Sequence, residues 1–261
     1  MLDIKKVQAG LDSSAPEFTC IYYPSLESTN TTAWELYTKS KSTGIVVVTD
    51  DQQSGRGRSS NKWYSQPEKS LTFSVLFTPE IKADQAGLLP LAAGIAIVRT
   101  LAKLNIKVRL KWPNDILLGG KKLGGILCES RVLLDWISAV VLGIGLNIND
   151  EIEIYPAAIK TAVTSLKKES NREFDRERIL VTILNELIVL IRYIESRNYQ
   201  EIQTQWLRQG MYLGSIVSMD TANGTIVGKF QGINQHGEAL VENQGLISSI
   251  NSAEMRAFRE T

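Results

Sequence analysis

Two cysteines and one histidine are all that the 261 residues offer of the soft metal ligands and of the commonest acid–base side chain. Cys20 and Cys128 stand far apart in no CxxC spacing, so neither a disulfide framework nor a cysteine zinc site can be built, and a reducing cytoplasm is the expected compartment. His236 lies between Gln235 and Gly237 in a turn-like stretch, with no evident partner for a Ser/His/Asp triad or a His-based metal site. Charge of one sign is lacking too. The 29 basic and 28 acidic residues leave a formal +1, too little for broad nonspecific binding to DNA or anionic membranes, although local basic patches remain open. The longest apolar stretch, Leu88 to Leu104, is broken by Arg99 and Lys103, and the start of the chain carries Asp3, Lys5 and Lys6 without an apolar run of signal-peptide length. The expectation is no membrane span and no export signal. Internal repeats and low-complexity segments are absent, which removes solenoids and arrays.

What is present is an ordinary globular composition, 43% hydrophobic and 22% charged. The length suits one large domain with a small one. In the first part, strand-like runs at Phe18 to Tyr23, Ile45 to Thr49 and Leu71 to Phe77 alternate with helical patterns. Ser28 and Thr29 can cap a helix carrying Ala33, Leu36 and Tyr37, and Asp84 can cap a long core helix carrying Leu88, Leu91, Ala92, Ile95 and Val98. Strand-like pieces follow at Val108 to Lys111, Ile116 to Leu118, Gly125 to Ser130 and Trp136 to Gly143, with Gly119-Gly120 suited to a hairpin turn. A helical stripe runs from Asp175 to about Arg197, and a shorter helix through Trp206 ends at Gly210. Beyond Gly214 short strands and turn residues predict a small β-barrel of roughly 45 residues. The expected class is α+β, a mixed sheet covered by helices over residues 1–212, with a small C-terminal barrel over 213–261.

Three stretches can carry chemistry. The loop from Asp50 to Gln66 holds Gly55-Arg56-Gly57-Arg58, whose glycines let backbone N–H groups approach an anion and whose guanidinium forks match carboxylate or phosphate. A solvated basic loop is the competing reading, and the tetrapeptide is neither a P-loop nor a dinucleotide fingerprint. Lys111-Trp112-Pro113-Asn114-Asp115 presents amide and carboxylate groups at a strand end, or is an ordinary turn. Lys121-Lys122-Leu123-Gly124-Gly125-Ile126 places lysines before two glycines, where a lysine can project over a ligand pressed on the backbone, or simply forms a wet hairpin.

The order of these motifs, from Ser28-Thr29-Asn30 through Gln52-Gln53-Ser54-Gly55-Arg56-Gly57-Arg58 with Trp63, Lys111-Trp112-Pro113-Asn114-Asp115 and Lys122-Leu123-Gly124-Gly125-Ile126-Leu127 to Gly143-Ile144-Gly145-Leu146-Asn147, closely resembles the biotin protein ligase family, over roughly Tyr23 to Arg256. The resemblance implies a class II synthetase-like catalytic domain with an SH3-like C-terminal barrel. It also implies a two-step ligase: biotin attacks the α-phosphate of MgATP to give biotinyl-5′-adenylate and pyrophosphate, and a lysine of a biotin carboxyl carrier protein domain then takes the biotinyl group as an amide. ATP, Mg2+ and biotin are the implied small molecules, with no tightly bound redox cofactor.

By the same resemblance, Ser28, Thr29 and Gln52 match the residues that hydrogen-bond the ureido ring of biotin. Gly55, Arg56 and Arg58 belong to the ligand-ordered loop over biotin and the phosphates, Arg56 and Arg58 being candidate catalytic residues. Trp63 matches the aromatic of adenylate binding. Lys122, the first catalytic candidate, matches the lysine contacting biotin carboxylate and α-phosphate. Gly124 and Gly125 would floor the biotin pocket and Leu127 line it. Asn114 and Asn147 would sit near the nucleotide, Asp115 near its magnesium, and Arg256 would reach back to the nucleotide. Ser59 and Asn61 depart from members with further arginines there. Only 27 residues precede Ser28, too few for the winged helix-turn-helix of repressor-type ligases, so a monofunctional form without specific DNA binding is expected. Homodimers form in the family through sheet edges, and no segment here demands one. The rivals are a lipoate–protein ligase, which shares the adenylate chemistry but binds a longer, non-ureido acid, and a non-catalytic biotin sensor or adaptor. The arginine loop and the Trp112-Pro113-Asn114-Asp115 run favour biotin, and the full set of phosphate-facing residues speaks against a sensor.

Overall fold

A computed structural model describes residues 1–12 and 18–258. Helix α1 (Ile4–Gly10) is capped by Asp3, whose carboxylate accepts from the Lys5 and Lys6 amides. Strand β1 (Thr19–Leu26), helix α2 (Thr29–Ser40) and strand β2 (Ile45–Gln52) then form a crossover unit, and the intervening helix is what allows β1 and β2 to pair in parallel. Strand β3 (Leu71–Phe77) returns antiparallel to β2, and helix α3 (Leu88–Ala102) follows. Strands β4 (Arg109–Lys111), β5 (Asp115–Leu118), β6 (Lys121–Leu133) and β7 (Trp136–Leu146) complete a seven-stranded mixed sheet of order β1-β2-β3-β7-β6-β5-β4. Gly119 and Gly120 both adopt positive φ at the β5–β6 turn, as their pairing in sequence anticipates.

Both faces of this sheet are covered. Along β2, Val46 and Val48 point to one side, where α3 and the later helices pack, while Ile45 and Val47 point to the other, against Ala33 of α2. Leu71–Phe77 is buried at every position, Thr72 and Ser74 included, as a strand covered on both faces should be. Short helices α4 (Ala157–Lys160) and α5 (Leu166–Ser170) lead to the long α6 (Arg176–Glu195) and to α7 (Tyr199–Gln209). Asp175 caps α6 by accepting from the Arg178 amide. The apolar segment that includes α3 is long enough by composition to cross a membrane, yet most of it is buried within the fold.

The helix start expected at Asp84 lies elsewhere. Ala83–Gln85 form a single 3-10 turn and α3 begins at Leu88, with Gly87 before it and no side-chain cap. The cause is tertiary: a Cβ on Gly87 would stand 2.6 Å from the carbonyl oxygen of His236, so the backbone there is shaped by a turn docking from the C-terminal region. Asp84 instead faces that turn, 3.6 Å from His236 Nδ1.

That region is a second, antiparallel sheet of β8 (Ile216–Thr221), β9 (Gly224–Ile233), β10 (Ala239–Asn243), β11 (Leu246–Ile250) and β12 (Glu254–Ala257), ordered β11-β10-β9-β8-β12. Among the described residues this small C-terminal unit, expected from the sequence, is a five-stranded antiparallel sheet in which no ladder joins β11 to β12. It is fastened to the rest at several points. Trp206 meets Phe230 edge-to-face at 6.3 Å, and the buried Trp112 donates its indole N–H to the carbonyl of Gly237 at 2.9 Å.

Near the N-terminus, Asp50 and Arg176 form a buried pair, Nη1 to Oδ1 2.8 Å. Burial alone would raise the Asp50 pKa, but the Tyr22 hydroxyl, Arg176 and the Leu2 amide together bring it below its ordinary 3.8. A depressed folded-state pKa means that Asp50 stabilises the fold above its unfolded pKa and that this is lost as pH falls through the folded value. Replacing Arg176 by methionine strands the carboxylate, and denaturant unfolding at neutral pH is expected to show a loss of ~3–5 kcal/mol that shrinks in acid.

Candidate functional site

A cavity of about 560 Å³ opens at the β4–β7 side of the large sheet, between the N-terminus of α2, the loop after β2 and the end of the second sheet. Its floor is made by three consecutive polar residues that are buried where polar residues are usually exposed: Ser28, Thr29 and Asn30. Ser28 is the N-cap by position, but its side chain makes no capping bond. Gln52 does that work from β2, its Oε1 accepting from the Thr29 amide at 2.9 Å and the Thr29 hydroxyl at 3.2 Å. Fixing the Gln52 oxygen on the helix leaves its amide nitrogen as the group it can offer elsewhere. Ser28, with no capping duty, and Gln52 Nε2 together suit a small neutral ring with both donors and acceptors. Thr72 adds a hydroxyl that lines the cavity, buried and without a partner.

The opposite wall is cationic. Arg56, Arg58, Lys62, Lys111 and Lys122 line it together with Asp115, Asp220 and Glu254. Lys122 Nζ stands 2.6 Å from Asp115 Oδ1, and Lys111 Nζ 3.9 Å from Oδ2 of the same carboxylate. A Cβ on Gly125 would make only ordinary contact with Lys122, 3.5 Å from its Nζ, so this position is not bare for want of room. The loop after β2 is a small hairpin, with Gly57 N donating to Asn61 O and Trp63 N to Gly55 O. From it Arg58 reaches the second sheet, donating to Ser252 Oγ at 2.7 Å and to the Ala253 carbonyl at 3.3 Å. Burial lowers the Arg58 pKa, against the pull of Asp115 and Glu254, and arginine remains charged all the same. Its charge has no carboxylate in contact. Arg58 is therefore the cation best placed to gain from an incoming anion.

Trp63 lies along β7, where Gly145 leaves it room: a Cβ on Gly145 would be 2.4 Å from the ring. Its buried indole N–H has no acceptor. Asn114 lines the cavity and is pinned to β6, donating to the Ile126 carbonyl at 2.6 Å. Ser28, Thr29, Gln52, Arg56, Arg58, Trp63, Asn114, Asp115, Lys122, Gly125 and Leu127 are thus brought to one cavity from segments far apart in the chain.

Four expected residues are not on its wall. Gly55 has no room for a side chain because a Cβ would meet the Trp63 carbonyl at 2.5 Å, so it serves the hairpin. Gly124 is bare because Leu146 and the Gly145 carbonyl press against it at 2.4 and 2.6 Å, which makes it a packing glycine, unlike Gly125. Asn147 is buried beyond the cavity, donating to the Thr164 carbonyl and accepting from Tyr155. Arg256 is largely exposed and is paired with Glu254 and Asp220, two carboxylates that do line the cavity. Sequence reasoning in turn missed Thr72, Lys111 as a charge on Asp115, and the Ser252–Glu254 segment. Only the last carried a signal, the turn-rich spacing before β12.

Among the described residues no three Asp, Glu, His or Cys side chains come together to hold a metal. Asp115 is the carboxylate nearest the cationic wall, and Lys122 already holds one of its oxygens. A divalent cation here would have to bring most of its oxygen ligands with it.

Residues 22–147 match the biotin/lipoate A/B protein ligase family, and residues 212–255 match the biotin protein ligase C-terminal domain. A bifunctional ligase/repressor of Bacillus spizizenii is 33% identical over 255 residues, covering 97% of this chain and 78% of the relative. A biotin–[acetyl-CoA-carboxylase] ligase of Mycobacterium tuberculosis is 29% identical over 223 residues, 83% of this chain and 80% of that protein. Among solved structures, the biotin protein ligase of Aquifex aeolicus in complex with biotin and ATP superposes with a TM-score of 0.78 at 29% identity, over 93% of this chain and 99% of that one.

Proposed function

The chain belongs to the biotin protein ligase family, and on that premise we propose that it activates biotin with MgATP and passes the biotinyl group to a lysine of a biotin carboxyl carrier protein domain. The observation that carries this reading is the join, in one cavity, of a buried neutral hydrogen-bonding floor with a cationic wall. The floor suits the ureido ring. The wall suits a carboxylate and a phosphate that must come together although both are anionic.

In the first step a biotin carboxylate oxygen attacks the α-phosphorus, the bond to the bridging oxygen breaks, and pyrophosphate leaves with that electron pair. No proton transfer is needed, so the step asks for positioning and charge stabilisation rather than a histidine base. Lys122 would lie between carboxylate and α-phosphate, held by Asp115. Arg58 and Arg56 would take up phosphate charge, and Trp63 would offer its ring and its free N–H to the nucleotide. Magnesium would travel with the triphosphate, whose oxygens fill most of its coordination, with Asp115 the protein carboxylate within reach. In the second step a neutral carrier lysine attacks the acyl carbon, the bond from that carbon to the phosphate oxygen breaks, AMP departs with its electron pair, and the amine's extra proton is lost to water. The cations that stabilised pyrophosphate release then stabilise AMP.

The test is ATP/pyrophosphate exchange by purified protein with biotin, with lipoate and with neither, followed by transfer to a carrier domain. Biotin-dependent exchange and labelling of the carrier lysine are expected. Exchange with lipoate alone would install a lipoate ligase, and biotin binding without exchange a sensor. Biotin or its adenylate should also add contacts to the loop and protect it from tryptic cleavage at Arg56 and Arg58. Equal cleavage with and without ligand would refute that.

A further inference from the structure

We propose that Glu129 is a positioning residue for adenylation, holding Arg56 by one nitrogen and tying it through Asn30 to the floor that receives the ureido ring. The proposal rests on the ligase reading above. Glu129 sits on β6, outside every motif that the sequence singles out, and nearly a hundred residues from Asn30. Its Oε2 accepts from Asn30 Nδ2 at 2.8 Å and from Trp34 Nε1 at 3.2 Å, while Arg56 Nη2 lies 3.2 Å from Oε1 and 3.4 Å from Oε2.

Two features make this more than a surface ion pair. The first is which atoms are used. The contacts of the Arg56 guanidinium, including one of 3.5 Å to Thr31 Oγ1, all run through Nη2. Nη1 and Nε are left with their donors for an anion in the cavity that Arg56 lines. The second is where the anchor leads. Asn30 Oδ1 accepts from Ser74 Oγ at 2.6 Å, Ser74 Oγ lies 2.7 Å from Thr29 Oγ1 and can accept its proton, and Thr29 holds Gln52 Oε1 through its backbone amide at 2.9 Å. The amide orientation of Asn30 is set by chemistry, because the reverse would oppose its oxygen to a carboxylate. A continuous chain of hydrogen bonds therefore runs from the loop cation to the two residues at the far end of the biotin site.

Arg56 is about half exposed, with a side-chain relative accessibility of 47%, and exposed ion pairs add little to stability. A Glu129 that served only as a surface ion pair would thus leave rate and melting temperature alike untouched. A positioning Glu129 moves the rate alone. Glu129→Gln keeps the size and one acceptor for Asn30 but releases Arg56. It should lower kcat for biotin-dependent ATP/pyrophosphate exchange about 10- to 100-fold, with a smaller change in KM for biotin and an unchanged melting temperature.

The decisive reading is the double-mutant cycle. In an Arg56→Ala background Glu129→Gln should cost almost nothing further, a coupling of about fivefold or more. Arg56→Lys in the wild-type background is a second arm, since one ammonium cannot hold Glu129 with one nitrogen and an anion with others, and it should show a similar loss in kcat. Wild-type rate in Glu129→Gln, full activity in Arg56→Lys, or multiplicative losses in the double variant would each overturn the proposal. Exchange by the unmodified protein is the internal control: its absence counts against the ligase reading, whereas its presence with an unaffected Glu129→Gln counts against this inference alone.

Discussion

Lys122→Ala is expected to slow biotin-dependent ATP/pyrophosphate exchange roughly 30- to 1,000-fold, a loss of about 2–4 kcal/mol at the transition state. Lys122 Nζ is bound to Asp115 Oδ1 at 2.6 Å, so removing the ammonium does two things at once. It takes the cation from between carboxylate and α-phosphate, and it leaves the Asp115 carboxylate facing both, relieved only by Lys111 at 3.9 Å. Biotin itself should bind with a smaller penalty, because its ring is expected at Ser28, Thr29 and Gln52, and a rate loss exceeding the binding loss marks a transition-state contact. Lys121, exposed at the start of β6, provides the control. Equal losses in Lys121→Ala and Lys122→Ala, or near-normal exchange by the latter, would reduce this lysine pair to a solvated hairpin.

The second large effect lies beneath the floor. A Cβ on Gly143 would stand 2.2 Å from Asn30 Oδ1, and Asn30 cannot yield because Ser74 holds one end of its amide and Glu129 the other. Gly143→Ala is therefore expected to cost about 2–4 kcal/mol of stability, from overpacking and from broken buried hydrogen bonds. The start of α2 would be displaced with it, and the Kd for biotin should rise at least about tenfold. Adding Asn30→Ala removes the colliding group. The double variant should regain stability without regaining biotin affinity, as read by thermal unfolding and by biotin titration. Recovery of both, or of neither, would separate Gly143 from the ligand floor.

Much of this was legible from residue order because strands buried on both faces and amphipathic helices leave long local signatures. Leu71–Phe77 is bounded as its strand-like pattern suggests, and the glycine pair at 119 and 120 turns the chain where expected. Less legible was anything decided by a distant neighbour. Ser28 reads as a cap, but Gln52, 24 positions on in sequence, supplies the bond. Gly124 and Gly125 look equivalent, yet only Gly124 is bare for a neighbour, Leu146. Asn147 and Arg256 follow their motifs faithfully and still point to Thr164 and to Glu254. Glu129 left no local trace, since what gives it a role is Asn30, Trp34 and Arg56 arriving from elsewhere in the fold.

The placement of Trp63 has a practical corollary. Trp206 is sealed in the core, whereas Trp63 borders the cavity with an unbonded N–H, and Trp112, buried and bonded through its N–H to Gly237, lines the same cavity. The emission of Trp63 therefore depends on what stands beside it, and an adenine or a reordered arginine loop would change that environment while Trp206 stays silent. The chain carries its own optical gauge of occupancy, readable without a label. In Trp63→Phe the same titration would leave Trp34, above Glu129, to report separately on the far end of the hydrogen-bond chain.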